Sequence, residues 1–213
     1  MVGKENILKG TTTVGILCKD GVILAADKRA TAGNLIADKN AQKIYEIGEN
    51  MAVTTAGGVS DNQLLIKLIR AEIKLKNVRT NRNTSVGEAA NLLSSFVYGN
   101  IRKPSMLPGI THLVMAGMDE EGYHLYDIYP DGSLNKCKDY VSSGSGSTMA
   151  YGVLETLYED GINVDEGINL AIKSLNASLR RDSASGNGFV ILVINKDGTK
   201  KIIDKDIDVF LEK

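Results

Sequence analysis

The feature that most constrains this chain is a double switch of hydrophobic period. Apolar residues recur first with the two-residue spacing of strands, then with the 3.6-residue spacing of helices. The whole cycle then repeats before the chain returns to strands. Runs at 12–17 and 22–27 read as strands joined by Lys19-Asp20-Gly21, an Asp-Gly hairpin turn. A second pair, 43–47 and 51–55, turns at Gly48-Glu49-Asn50. Leu65, Leu68, Ile69 and Ile73 then share one helical face, with Ser60 as the expected N-cap. Ser85 and Glu88 form a capping box ahead of a stripe of Val86, Ala89, Ala90, Leu93 and Val97. Strands return at 111–117 and 123–129, with a short one near 136–141. A third helix is striped by Ala150, Val153, Leu154 and Leu157. Asn163 and Glu166 cap a fourth, striped by Ile168, Ala171, Ile172, Leu175 and Leu179, which exits near 182–186. Strands at 189–195 and 199–203 and a short helix from Asp206 close the chain.

Short-turn hairpins build antiparallel sheets, because parallel pairing needs long crossovers. Each helix pair has one apolar face, and that face needs a sheet to cover. Two sheets face to face, with a helix pair outside each, satisfy every face. The expected fold is α+β, a four-layer α/β/β/α sandwich with two antiparallel sheets. The 213 residues suffice for one domain with a sizeable core. No linker, repeat or low-complexity block divides them.

Composition narrows the function. With 25 Lys and Arg against 26 Asp and Glu, the net charge is −1, so a general attraction to nucleic acid or an anionic membrane is not expected. No apolar run reaches the roughly 18–20 residues of a membrane span. The first ten residues lack the apolar centre of a secretory signal. Cys18 and Cys137 both lie in strand-like runs, so a reducing, cytoplasmic setting fits better than a disulfide framework. His112 and His124 flank one turn and read as structural strand residues. No H-E-x-x-H, C-x-x-C or phosphate-binding glycine motif occurs, so neither metal nor cofactor is expected. Gly144-Ser145-Gly146 before a helix could cradle an anion, or could simply form a tight turn and a cap.

Three threonines in Gly10-Thr11-Thr12-Thr13-Val14-Gly15 are, by propensity, strand residues and nothing more. The segment nevertheless resembles the processing site of proteasome β-subunits of the archaeal type. Further matching pieces follow in order: Ala-Ala-Asp-Lys-Arg-Ala-Thr at 25–31, Asn-Ala-Gln-Lys-Ile at 40–44 and Thr-Ala-Gly-Gly at 55–58. Ser-Gly-Ser-Gly-Ser at 143–147, Tyr-Gly-Val-Leu-Glu at 151–155 and Arg-Asp-Ser-Ala-Ser-Gly at 181–186 complete the set. Each is weak alone; together they cover residues 10 to about 205. The family is similar to other N-terminal nucleophile hydrolases, whose fold is the same sandwich.

The resemblance implies a threonine endopeptidase that degrades unfolded proteins through an ester acyl-enzyme. It implies autocatalytic cleavage between Gly10 and Thr11, which makes residues 1–10 a propeptide and 11–213 the catalytic domain. Thr11 then carries both the nucleophilic Oγ and, as base, a free α-amine. By resemblance Lys43 is the catalytic lysine and Asp27 its acidic partner. Asp182 and Ser185 orient the amine, with Ser145 beside it, and Gly57 donates a backbone N–H to the oxyanion. Thr31 pairs with substrate backbone. Thr55 lies near the main specificity pocket, its small size leaving room for a sizeable apolar side chain. The implied partners are copies of the chain in a seven-membered ring, rings of α-subunits and an ATPase regulator. The alternative within this fold is a non-catalytic ring subunit. On the residues alone, Asp27-Lys28-Arg29 reads as a solvated strand end and Lys43 as an exposed strand-start lysine.

Overall fold

The computed structural model describes residues 10–207. The first hairpin joins β1 (Thr13–Cys18) to β2 (Gly21–Asp27) in antiparallel register, with Val14 opposite Ala25. A small exposed hairpin follows, β3 (Ala30–Ala32) and β4 (Leu35–Asp38). Next come β5 (Ile44–Gly48), β6 (Met51–Gly57), α1 (Val59–Thr80) and α2 (Val86–Ile101). The second cycle holds β7 (Thr111–Asp119), β8 (Gly122–Ile128), β9 (Leu134–Cys137) and β10 (Tyr140–Ser143). It continues with α3 (Ser147–Leu157) and α4 (Val164–Leu179), and ends with β11 (Gly188–Asn195) and β12 (Gly198–Asp206).

The strands form two five-stranded antiparallel sheets, ordered β10-β1-β2-β11-β12 and β5-β6-β7-β8-β9. Three apolar layers hold them. Leu65, Ile69, Leu93 and Val97 of α1 and α2 pack on Val53, Leu113 and Met115 of the second sheet. Leu154, Ala171 and Leu175 of α3 and α4 pack on Val14, Ile16, Ile23 and Ile191 of the first. Between the sheets lie Leu24, Ile44, Val114, Leu125 and Leu192. The four-layer α/β/β/α sandwich expected from the element order is the architecture found. Truncating any of these fully buried leucines to alanine costs about 2–5 kcal/mol, because the lost transfer energy is joined by a cavity.

Several local expectations are corrected. Gly58, not Ser60, is the N-cap of α1, and it makes no side-chain capping bond. The helix begins so soon after β6 that the cap falls on the last glycine of the connection. Leu68 is exposed, while Leu65, Ile66, Ile69 and Ile73 are buried. At 100° per residue these four fill one arc, and Leu68 falls about 60° outside it. Leu157 of α3 is likewise exposed. The single strand expected near 136–141 is two: β9 pairs with β8 in one sheet and β10 with β1 in the other. The chain changes sheet between them. Asp206 ends β12 rather than starting a helix, and the expected helix beyond it lies outside the described residues. So does nearly all of the expected propeptide. The hairpin of β3 and β4 was not anticipated.

Candidate active site

The start of β1, the end of β2 and the two glycine-bearing connections around 144 and 186 converge on Thr11. Asp27, the last residue of β2, is fully buried, and donors surround its carboxylate. Oδ1 accepts from Lys43 Nζ at 2.6 Å and from Thr12 N–H at 2.9 Å. Oδ2 accepts from the N–H groups of Arg29 and Gly186, each at 3.0 Å. A buried charge is tolerable only when it is paired and fully hydrogen-bonded, and Asp27 is both. It ties β1, β2, the segment before β5 and the loop after α4 to one point. Asp27 and Lys28 are therefore not a solvated strand end. Lys28 is buried too, and pairs with Asp204 and with Asp206 at 2.6 Å.

Lys43 is only 7% exposed. Burial pushes its ammonium below the ordinary lysine value, Asp27 and the more distant Asp182 oppose the shift, and Arg29 reinforces it. Its Nζ also lies 3.5 Å from the carbonyl oxygen of Gly10. Thr11 Oγ1 donates to that same oxygen at 2.6 Å. The hydroxyl, the carbonyl ahead of it and a buried ammonium therefore meet at one place.

On the other side of Thr11, its N–H donates to Ser145 Oγ at 3.3 Å. Ser145 Oγ in turn donates to Asp182 Oδ2 at 2.5 Å, and Ser185 Oγ to the same oxygen at 2.6 Å. Thr12 Oγ1 lies 2.8 Å from Ser185 Oγ and is the donor there, because the Ser185 proton goes to Asp182. Gly144 makes room for this arrangement: its φ is +92°, and a Cβ there would lie 2.0 Å from the Thr11 carbonyl oxygen. Gly146 N–H donates to that oxygen at 3.3 Å. The 144–146 stretch is thus the turn that holds Thr11 and caps α3.

An open cleft of about 970 Å³ begins at Gly10 and Thr11. Thr31, Lys43, Thr55 and Gly57 line it. Thr31 Oγ1 accepts the Gly10 N–H at 2.9 Å. Thr55 is buried, and its N–H donates to the Lys43 carbonyl at 2.9 Å. Gly57 adopts φ +109°, and a Cβ there would come within 2.2 Å of the Ile110 carbonyl oxygen, so only glycine fits. All nine residues singled out from the sequence with Gly10 thus lie around Thr11 or on the cleft beside it.

One contributor was missed. Arg29 Nε donates to Asn187 Oδ1 at 2.7 Å and its Nη1 to the Ser183 carbonyl at 2.8 Å. Its guanidinium lies against Gly186, where a Cβ would strike it. Arg29 clamps the loop that carries Ser185. In the sequence it was one basic residue in a charged tripeptide, with no signal to separate it from a surface arginine. His112 and His124 take no part: they pair with Asp127 at 2.7 Å and Asp119 at 2.8 Å.

Residues 7–194 match the family described as "Proteasome subunit". The protein named "Proteasome subunit beta" from Methanococcus maripaludis is 45% identical over 98% of this chain and 94% of its own length. Those of the same name from Methanocaldococcus jannaschii and Methanohalophilus mahii are 44% and 45% identical. They align over 97% and 96% of this chain, and over 91% and 96% of their own. Matched by that family over residues 7–194 and by these relatives over nearly its whole length, the chain belongs to the proteasome subunit family.

Proposed function

We propose that this chain is the proteolytic β-subunit of a proteasome core particle, and that Thr11 becomes its N-terminal nucleophile by cutting the bond to Gly10. The observation that carries this reading is the meeting of Thr11 Oγ1 and Lys43 Nζ at the Gly10 carbonyl oxygen, at 2.6 and 3.5 Å.

In self-cleavage, Thr11 Oγ attacks the Gly10 carbonyl carbon and a C–O bond forms. Charge develops on the Gly10 oxygen, where the Lys43 ammonium stabilises it. The C–N bond then breaks, the nitrogen takes up the proton lost by Oγ, and Gly10 is left as an ester on Thr11. The Thr11 amine is then free; water hydrolyses the ester, restoring the hydroxyl and releasing residues 1–10 with a carboxylate on Gly10. Before this step the nitrogen is an amide and cannot act as base, so the precursor is inactive.

Afterwards the amine titrates near the α-amino range of about 7.7–8.0, close to a working pH, where a general base is most effective. Ser145, backed by Asp182 and Ser185, holds the amine; Lys43, backed by Asp27, lowers the proton affinity of Oγ. The same cycle then serves a substrate peptide bond: attack, oxyanion stabilised by Lys43 and the Gly57 N–H, acyl-ester, hydrolysis. Thr31 aligns the substrate backbone as an added strand, and Thr55 borders the space for its side chain. Residues 1–10 are the propeptide and 11–213 the catalytic domain. The chain assembles with other subunits in proteasome particles. In our reading these are seven-membered β-rings enclosed by α-rings in the cytoplasm, fed by an ATPase.

Intact mass after assembly with the α-partner tests this. Loss of ten of 213 residues from 22.9 kDa removes roughly 1.1 kDa, as expected if Thr11 attacks its own amide. Thr11→Ala should keep its full mass and hydrolyse no peptide. Gly10→Ala should lose mass more slowly, because a Cβ on Gly10 would lie 1.8 Å from Ala184 Cβ and 2.4 Å from its carbonyl oxygen. A full-length wild-type chain in assembled particles would overturn the assignment and favour a non-catalytic subunit.

A further inference from the structure

Lys28 stands between two residues tied to the site, Asp27 and Arg29, yet it does not line the cleft. Its Nζ donates to Asp206 Oδ1 at 2.6 Å and also pairs with Asp204 Oδ1. Both carboxylates belong to the end of β12, the edge strand of the first sheet. In that sheet β11 lies between β2 and β12, so the lysine side chain crosses the start of β11 to reach them. The two carboxylate side chains are 43% and 64% exposed, against 5% for the lysine. Water can solvate the acids without Lys28, but it cannot solvate Lys28 without them. A buried ammonium of this kind is kept only by its pairing.

The main chain of Lys28 reaches both halves of the site. Its N–H is shared between two carbonyls of the loop after α4, Gly188 at 3.1 Å and Gly186 at 3.3 Å. Its own carbonyl accepts the Ala41 N–H at 2.8 Å, two residues before Lys43. Lys28 is therefore bonded at once to the loop that carries Ser185 and to the segment that delivers Lys43. The end of β12 closes on the same loop from the other side. Ile207 N–H donates to the Asn187 carbonyl at 3.2 Å, and Gly188 faces Asp206 across the ladder. Gly188 has φ +126°, and a Cβ there would lie 2.1 Å from the Lys205 carbonyl oxygen. The 186–188 stretch is thus held between Lys28 and the end of β12, and the buried ammonium joins those two across it.

We propose that Lys28 is a positioning residue: clamped to Asp204 and Asp206 across the start of β11, it fixes the loop that holds the Thr11 amine and the segment that carries Lys43. This rests on the proposed function and adds to it a point of control on β12, none of whose residues lines the cleft. Slackening the clamp shifts Ser185 and Lys43 against Thr11 Oγ and leaves the cleft walls in place. Turnover suffers and substrate binding does not.

The test uses assembled particles, one uncharged fluorogenic peptide, and an acylating label on Thr11 to count working sites. Lys28→Met should lower kcat per labelled site about tenfold, with KM within about twofold, because a small displacement of catalytic groups costs turnover. Asp204→Asn with Asp206→Asn should do the same. The two variants change the local charge in opposite senses, so a shared loss reports displacement and not the field. Lys28→Arg, whose guanidinium can pair with both carboxylates, should restore most of the kcat. Lys201→Ala removes only the exposed partner of Asp204 and should leave kcat unchanged. If the double variant does not assemble, Lys28→Met decides alone, since water takes up the acids it leaves behind. Wild-type kcat per labelled site in Lys28→Met would overturn the proposal. So would Lys28→Arg no better than Lys28→Met, or a loss in Lys201→Ala as large as in Lys28→Met. In each of these cases wild-type particles still take the label and cleave, and only this inference falls. Wild-type particles that do neither would remove the proposed function itself.

Discussion

At the scale of single residues, Asp27 carries the most structural weight. Its two oxygens take one ammonium and three backbone N–H groups. Asp27→Asn removes the charge opposite buried Lys43 and turns an acceptor into an NH2 group facing other donors. Breaking one partner of a buried ion pair costs about 3–5 kcal/mol. We expect a loss of that order in chemical denaturation, together with loss of self-cleavage followed by mass. Unchanged stability would mean that Lys43 loses its proton readily in the variant. The sequence identified Asp27 and Lys43 only through family resemblance. By composition both read as solvated, because charged residues usually are. Burial of a charge is decided by what other segments bring to it, here Thr12, Arg29 and Gly186. None of those backbone groups leaves a mark in the sequence.

At the scale of elements, what is local in the chain was legible. Both capping boxes form as expected: Ser85 with Glu88, and Asn163 with Glu166. These patterns satisfy the first free N–H groups of a helix within four residues, so no distant segment is needed. Where an element depends on a partner elsewhere, the reading failed. The hairpin of β3 and β4 is too short and too exposed to show a period. The crossing between β9 and β10 is visible only once the two sheets exist. The Ser85 cap gives a clean measurement. Its N–H and Oγ are bonded to Glu88. Glu88 is also gripped by Arg82, which holds its carboxyl well below the ordinary range, helped by the Ser85 N–H and Lys76. A carboxyl depressed in this way contributes fully above its unfolded value of about 4.3, and that contribution fades as pH falls. Ser85→Ala should therefore lower stability by about 1 kcal/mol in urea at neutral pH. It should leave self-cleavage intact, since α2 packs on the second sheet and contributes nothing around Thr11. A processing defect as large as the stability loss would link that helix to the site.

At the scale of the whole molecule, the surface has not finished burying its apolar residues. Met106 is 99% exposed and Leu107 71%, with Ile110 exposed in the same connection between α2 and β7. A run of large apolar side chains standing in water usually marks a surface that another protein covers. The Ile110 carbonyl accepts the Gly58 N–H at 3.0 Å and lies where a Cβ on Gly57 would fall. The connection is thus bonded to the backbone beside the cleft. A neighbouring subunit seated on Met106 and Leu107 would stiffen the backbone carrying Gly57, and so link assembly to the geometry at Thr11. Methionine oxidation reads this directly, because peroxide attacks a thioether in proportion to its exposure. Met106 should oxidise quickly in the isolated subunit and several-fold more slowly in the assembled particle. Equal rates in both would show that this surface stays open, and would detach assembly from the backbone around Gly57.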